Sequence, residues 1–560
     1  MSDPLRPGDR FQTRWLYGPA SDLLLGCGLG YALFVAIFLF ADTQALVADW
    51  VPVAIVFLGL ITNSPHYGAT LIRVYEKRAD RRKYAFFAVY LTIALAALFV
   101  AGLHFLWIGS FLITLYITWS PWHFAGQNYG LAVMFLRRRQ IEVPPGLKRL
   151  IYLSFVCSFL MSFFLIHGPL QALGLLPVPS FQREVYEFLS LGLPPRVAEA
   201  GLAISGLGYV GSILAAGTLL LRRSSLRDLA PTASLVALQA MWYAIPAFMA
   251  ATNTLTFESF ALSSIWIAFA HSIQYLWVTS YYSRQSGDDR RISGYMLKTL
   301  LWGSAATVFP ALVFAPNLLG TVSFHAGLGI LLFSVINIHH FALDGAIWKL
   351  RDGSVARILL RTAGDNATAR VSASVEQAHG RGLRMVYAIG AVSLAVAVFG
   401  SWENHFGAVE ALERGDLPRV ARASERLSWI GRESHGIHQQ LGLRRAQRGQ
   451  WEEARHHYER SLQIHPSVQA WYALAQLHVA RGELEAARAA LEPGLELQPD
   501  HFLSLELLGR VWSELGDPTR ARAVLEKAAA LMPGNHAIAA ALVRARHEES
   551  KKGDASPSRP

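Results

Sequence analysis

Runs of apolar residues alternate with short polar breaks through roughly the first 400 positions, each run about as long as a helix needs to cross 30 Å of hydrocarbon. About eleven such runs stand out, near 20–42, 49–74, 84–104, 106–136, 150–167, 199–221, 229–250, 258–282, 296–315, 319–348 and 383–401. The runs at 106–136 and 319–348 exceed the length required and predict tilt or extension past the membrane. Beyond them the pattern becomes polar and amphipathic. It predicts an all-α fold, a polytopic transmembrane bundle followed by a helical solenoid. The boundaries it sets are an N-terminal segment at 1–18, a membrane domain at 19–402, a repeat domain at 403–545 and a polar, disordered tail at 546–560.

The repeat is visible in spacing. Gly415, Gly449, Gly482 and Gly516 recur every 33 or 34 residues, and Ala454, Ala487 and Ala521 follow the last three at a constant offset. Pro466, Pro499 and Pro533 close those units, and one first helix reads Trp471-Tyr472-Ala473-Leu474-Ala475. This resembles the tetratricopeptide repeat (TPR), a helix-turn-helix unit of 34 residues. The first unit, 405–435, departs from the pattern. The resemblance implies a concave face that binds a protein or peptide partner.

The 52% hydrophobic content excludes an ordinary soluble protein. The formal net charge of +11 does not point to nucleic acid, because the basic residues sit in alternate short loops. One set holds Arg73, Lys77 and Arg81, then Arg137 and Lys148, Arg222 and Arg227, Arg284 and Lys298, and finally Arg351, Arg361 and Arg370. The opposite set holds only Arg183 and Arg196, in the loop at 168–198. The positive-inside rule then puts the N-terminus in the cytoplasm, and an odd number of spans puts the repeats outside it, on a multi-pass protein of the cell (inner) membrane. The first apolar run is too long for a cleaved signal peptide. Cys27 and Cys157 both lie in apolar runs and make no metal or disulfide motif.

Ionisable groups at membrane depth are expensive, so the segment Asn337 to Lys349, with His339, His340 and Asp344, stands out. His340 and Asp344 share a helix face, whereas His339 lies about 100° away. His66, His123 and His271 fall in three other spans, all running in the same direction as the one that holds His340. Counted back from the basic loops at about 1.5 Å per residue, the four lie roughly 10–21 Å deep and converge on one layer. Neutral imidazoles from four helices can hold iron, copper or zinc in a bundle core. Asp344, Gln127, Asn128, Gln274 and Asn63 are the candidates to orient those rings, and Pro65 and Pro121 bend two of the helices nearby. His104, His167 and His325 lie near the outer ends of spans and read as interfacial hydrogen-bonding residues.

Histidines 66, 123, 271 and 340 give the membrane part a loose resemblance to histidine-rich non-haem iron membrane enzymes such as the Brp/Blh carotenoid-cleaving group. That resemblance implies iron on those four residues, with Asp344 behind them, and oxidation of a membrane lipid, isoprenoid or other apolar substrate. The spacing motifs of membrane desaturases are absent. Two alternatives belong to other classes. A plan of about eleven spans with outward repeats is similar to relatives of the protein O-mannosyltransferases, which use acidic residues of the first outer loop. Here that loop offers only Asp42 and Asp49. The other alternative is a non-catalytic anchor or transporter that presents the repeats.

Overall fold

A computed structural model describes residues 14–33, 57–168, 186–252, 254, 257–289, 291–315, 319–320, 324–349, 353–360 and 381–554. Among the described residues the secondary structure is helical, with no strand. The chain divides into two compact units, Met1–Phe314 with Gly327–Val398 and Ala315–Ala326 with Phe399–Pro560.

The helices of the first unit are α1 (Ser64–Tyr75), α2 (Thr92–His104), α3 (Leu106–Arg138), α4 (Pro145–Ile166), α5 (Pro195–Leu221), α6 (Leu226–Gln239), α7 (Phe257–Ser286), α8 (Ile292–Thr307), α9 (Gly329–Ile347) and α10 (Arg381–Trp402). Seven helical stretches among the described residues are long and apolar enough to cross a membrane. They include α2, α4, α5, α6, α8, α9 and α10. Helices α1, α3 and α7 carry three of the four singled-out histidines and fall outside that set. Their polar residues, such as His123, Gln127 and Asn128 on α3, dilute their apolar character. The first expected span is interrupted at Cys27 and Gly28 after a short helical start. The chain resumes helix over 29–33, and the rest of that span, together with Asp42, Asp49, Arg183, Arg351, Arg361, Arg370 and the side chain of His325, lies outside the described residues.

Loops expected to share a side lie together. Lys77 pairs with Asp288 at 2.5 Å, and Lys298 pairs with Glu76 at 3.1 Å and with Asp289 at 2.9 Å, which ties the ends of α1 and α7 to the start of α8. The Arg138 guanidinium donates to the Leu359 and Trp15 carbonyls at 2.8 and 2.9 Å. Arg14 pairs with Asp228 at 2.6 Å. At the opposite end, Tyr186 donates to the Gly102 carbonyl at 3.0 Å, and the Leu189 N–H donates to Thr114 at 2.8 Å.

One crossing positions the site. Helix α1 packs against α8 with the backbones in contact at Gly68 and Gly303. A Cβ on Gly68 would sit 1.8 Å from the Thr299 carbonyl oxygen, and one on Gly303 would sit 1.6 Å from that of Ser64. Small residues are how helices approach closely where lipid supplies no hydrophobic drive. Helix α1 is entered through a π-helical turn at Gly59–Asn63, whose last bond runs from the Ser64 N–H to the Gly59 carbonyl. The wider turn absorbs Pro65, which has no N–H to give.

In the second unit α11 (Leu417–Ser428), α12 (His435–Gln447), α13 (Trp451–Ile464), α14 (Val468–Ala480), α15 (Leu484–Leu497), α16 (Phe502–Glu514), α17 (Pro518–Leu531) and α18 (His536–Asp554) pack as consecutive neighbours. Gly415, Gly449, Gly482 and Gly516 turn between paired helices with φ of 73°, 71°, 74° and 79°, a region only glycine enters without strain. The degenerate first unit therefore uses the same turn as the others. Ala454, Ala487 and Ala521 are fully buried where paired helices touch. Ser434 and Ser467 cap α12 and α14 by accepting from the Ile437 and Ala470 N–H groups. Helix α18 runs to Asp554, into the stretch expected to be a disordered tail, where Arg546 pairs with Glu526 and Glu549 with Arg522 of α17, each at 2.9 Å. Residues 555–560 lie outside the described ones.

Candidate metal centre

Helices α1, α3, α7 and α9 each bring one imidazole to a common point. His66, His123, His271 and His340 each offer a ring nitrogen, and these nitrogens lie within 4.8 Å of one another. Ring centroids are 4.2 Å apart for His66 and His340, 4.9 Å for His66 and His271, 4.9 Å for His123 and His271, and 5.0 Å for His123 and His340. His66, His271 and His340 are 2–3% exposed, whereas the His123 side chain keeps 10%. Aromatic rings hold the imidazoles in place. Phe341 stacks on His123 at 4.3 Å, Phe124 lies against His271 at 4.4 Å, and Tyr275 meets His66 edge-on at 4.5 Å.

The nitrogens are unsatisfied. His66 Nδ1, His123 Nε2, both nitrogens of His271, and His340 Nε2 are buried without a hydrogen-bond partner. Each such group costs about 1–3 kcal/mol. Polar groups are rarely left so, and here they gather in one place. Asp344 adds to the pattern. Its Oδ2 lies 3.3 Å from His340 Nε2 and 3.8 Å from His123 Nε2. Such a contact is favourable when a shared proton or a bound cation lies between the carboxyl oxygen and the nitrogens. Nitrogen donors in this number, with a carboxylate beside them, fit a borderline transition-metal ion. The cluster could hold a metal ion, and nothing in its geometry fixes which one.

The residues expected to orient the rings divide. Asp344 reaches them. Gln127 instead donates to the His271 carbonyl at 3.3 Å and to Gln274 at 3.2 Å. Gln274 donates to the Gly26 carbonyl at 3.1 Å, and Asn63 accepts from Ser272 at 2.7 Å. Asn128 points away altogether and donates to Gln239 at 2.7 Å, which in turn donates to Ser158. Its position five residues after His123 turns it about 140° from that face. His339 also turns away, lying 2.9 Å from Thr92 and 3.4 Å from Tyr75 through Nε2. His167 lies 3.0 Å from Thr118 through Nε2 and apart from the cluster.

Three residues outside the set expected to orient the rings complete the surroundings, Tyr275 among them as an aromatic neighbour that reads from the sequence as bundle packing. Thr70 lies 2.9 Å from His340 Nδ1 and 2.9 Å from Asp344 Oδ1. Tyr275 donates to the same Oδ1 at 2.7 Å and accepts from the Trp348 indole N–H at 2.9 Å. A simple signal points to two of them. Thr70 follows His66 by four residues, as Gln127 follows His123, Tyr275 follows His271 and Asp344 follows His340. Four helices running the same way thus carry a second polar layer one turn below the histidines.

Comparison with known proteins addresses the other unit. The tetratricopeptide repeat family matches residues 445–510. Two crystal structures of MamA share the likeness. One is 19% identical, covering 26% of this chain and 95% of its own, with a TM-score of 0.21. The other is 19% identical, covering 29% and 96%, with a TM-score of 0.22. No curated protein matches the chain. The C-terminal region is a TPR array. Arrays of this kind bind protein partners.

Proposed function

We propose that the chain is an integral membrane protein whose first unit holds a transition-metal ion, iron in the first instance, on His66, His123, His271 and His340. In this reading it is a metal-dependent oxidoreductase acting on a lipid or isoprenoid. The observation that carries the proposal is the convergence of four buried imidazoles whose facing nitrogens have no partner. A bound iron would supply activation of dioxygen. The protein's own share is to bind, orient and shield. His123 is the least buried of the four, and Phe341, which stacks on it, also meets Trp119 at 5.9 Å and Tyr116 at 6.4 Å. Aromatic walls beside the most accessible ligand suit an apolar substrate.

The distribution of basic loops supports a cytoplasmic N-terminus and repeats that meet their partner outside the cytoplasm. The deciding experiment is metal analysis of the purified protein. Near-stoichiometric iron, or another transition metal, is expected, and His340→Ala should lose it. A natively folded wild-type protein free of metal overturns the proposal.

A further inference from the structure

We propose that Thr70 is the positioning residue of this site: it locks His340 in the Nδ1–H form, so that Nε2 faces the cluster as a lone pair. The inference rests on the metal reading above and names a residue outside the four imidazoles.

The hydrogens around the Thr70 hydroxyl can be counted. The Thr70 side chain is 1% exposed and has one hydroxyl hydrogen. Three groups surround it: His340 Nδ1 at 2.9 Å, Asp344 Oδ1 at 2.9 Å and the Tyr275 hydroxyl at 2.6 Å. With a cation in the cluster holding Asp344 ionised, Oδ1 only accepts. Handing the Thr70 hydrogen to Nδ1 would leave two of the oxygen–oxygen contacts without one, so it goes to Oδ1, or to Tyr275, whose own hydrogen goes to Oδ1 at 2.7 Å. In either arrangement the Thr70 oxygen is left to accept, and His340 Nδ1 must donate to it. A neutral imidazole has one N–H, so Nε2 is bare. That bare nitrogen is the one buried without a partner, 3.3 Å from Asp344 Oδ2.

The second contacts of this hydroxyl explain why threonine stands there. A hydrogen-bond acceptor alone would fix the tautomer. A hydroxyl does so and also hands its hydrogen to the Asp344 carboxylate, directly or through Tyr275, holding Oδ1 away and leaving Oδ2 toward the nitrogens. Tyr275, held in turn by Trp348, keeps Oδ1 in place from the other side. Partners that orient a metal-bound histidine typically account for 10–100-fold in metal affinity.

The test is Co(II) titration of the metal-stripped full-length protein in detergent, followed by ligand-field absorption, for wild type, Thr70→Val, Thr70→Ala and Thr70→Ser. Valine keeps the shape and removes the hydroxyl, alanine guards against a misfit of the valine, and serine restores the hydroxyl. The expected result is binding weakened about 10–100-fold in Thr70→Val and Thr70→Ala, a changed absorption envelope, and recovery of both in Thr70→Ser. Thermal melts of the metal-free proteins identify any variant that fails to fold. Wild-type binding of Co(II) together with folded valine or alanine variants that bind within threefold of it overturns the role of Thr70 alone. A wild type that takes up no Co(II) overturns the metal reading, and this inference with it.

Discussion

The contact of α1 with α8 gives the sharpest prediction about how packing supports the site. In Gly68→Ala the new Cβ meets the Thr299 carbonyl oxygen at 1.8 Å and the Gly303 nitrogen at 2.8 Å. Both obstacles are backbone, so no side chain can rotate aside. Restoring an ordinary contact of about 3.4 Å requires the two helices to part locally by about 1.5 Å. Overpacking of this kind costs about 1–3 kcal/mol, and here the upper part of that range applies because both partners are main chain. His66 is two residues from Gly68 on the same helix and moves with it. A site of this kind tolerates displacement of about 0.5 Å. Gly68→Ala should therefore lower the melting temperature of the detergent-solubilised protein and also weaken Co(II) binding at least tenfold. Gly303→Ala should do the same, and the double variant should cost less than the sum, because one separation relieves both clashes. A Gly68→Ala protein that melts within about 1 °C of wild type and binds Co(II) normally would refute the reasoning.

Two further outcomes test other parts of the molecule. Asn128→Leu should lower stability by about 1–3 kcal/mol, since it leaves the Gln239 oxygen buried without its donor, yet leave metal content unchanged; a loss of metal would bring Asn128 back into the site. In the TPR unit, burial and then the neighbouring His438 push His457 down to about 4 from an ordinary 6.5. The unfolded chain then binds a proton that the folded chain refuses, so the stability from this group is complete above about pH 6.5 and is lost as pH falls toward 4. Solvent screening reduces the effect to about 1 kcal/mol. Burial alone would raise Glu433, but His438 and Arg460 outweigh it and hold it at about 2, so its contribution is lost only below about pH 4.5. Hydrogen exchange of α12 and α13 should accelerate between pH 7 and 4.5 after correction for the intrinsic rate. Unchanged protection there would sink the assignment.

Much of this architecture is legible in the chain. The TPR turns follow from glycines that only a left-handed position requires, and most of the helix ends, as in α2, α3, α4, α5 and α7, fall within a few residues of the apolar runs. Rise per residue alone placed the four histidines at similar depth. Rotation about the helix axes was less accessible. Asn128 and Gln127 are neighbours in sequence, but one faces α6 and the other the His271 backbone. Thr70 and Tyr275 are ordinary helix residues until the four-residue offset is noticed on several helices together. Trp348 lies beyond any local pattern, because its contact depends on how α9 meets α7. The interruption at Gly28 and the late start of α9, after Gly327 at φ 135°, are local backbone choices that a long apolar run conceals.

The shared direction of α1, α3, α7 and α9 has a mechanical consequence. Each helix carries its histidine and a polar residue one turn further along, so the bundle is toothed at a pitch of about 5.4 Å. A slide of one helix by a full tooth would put a hydroxyl, amide or carboxylate where an imidazole belongs. Any smaller slide would spoil both layers at once. Tilting the helices together to suit a thicker or thinner bilayer leaves the teeth engaged. The register of these four helices is therefore held by the polar layers themselves, and the bundle can lean without losing its count.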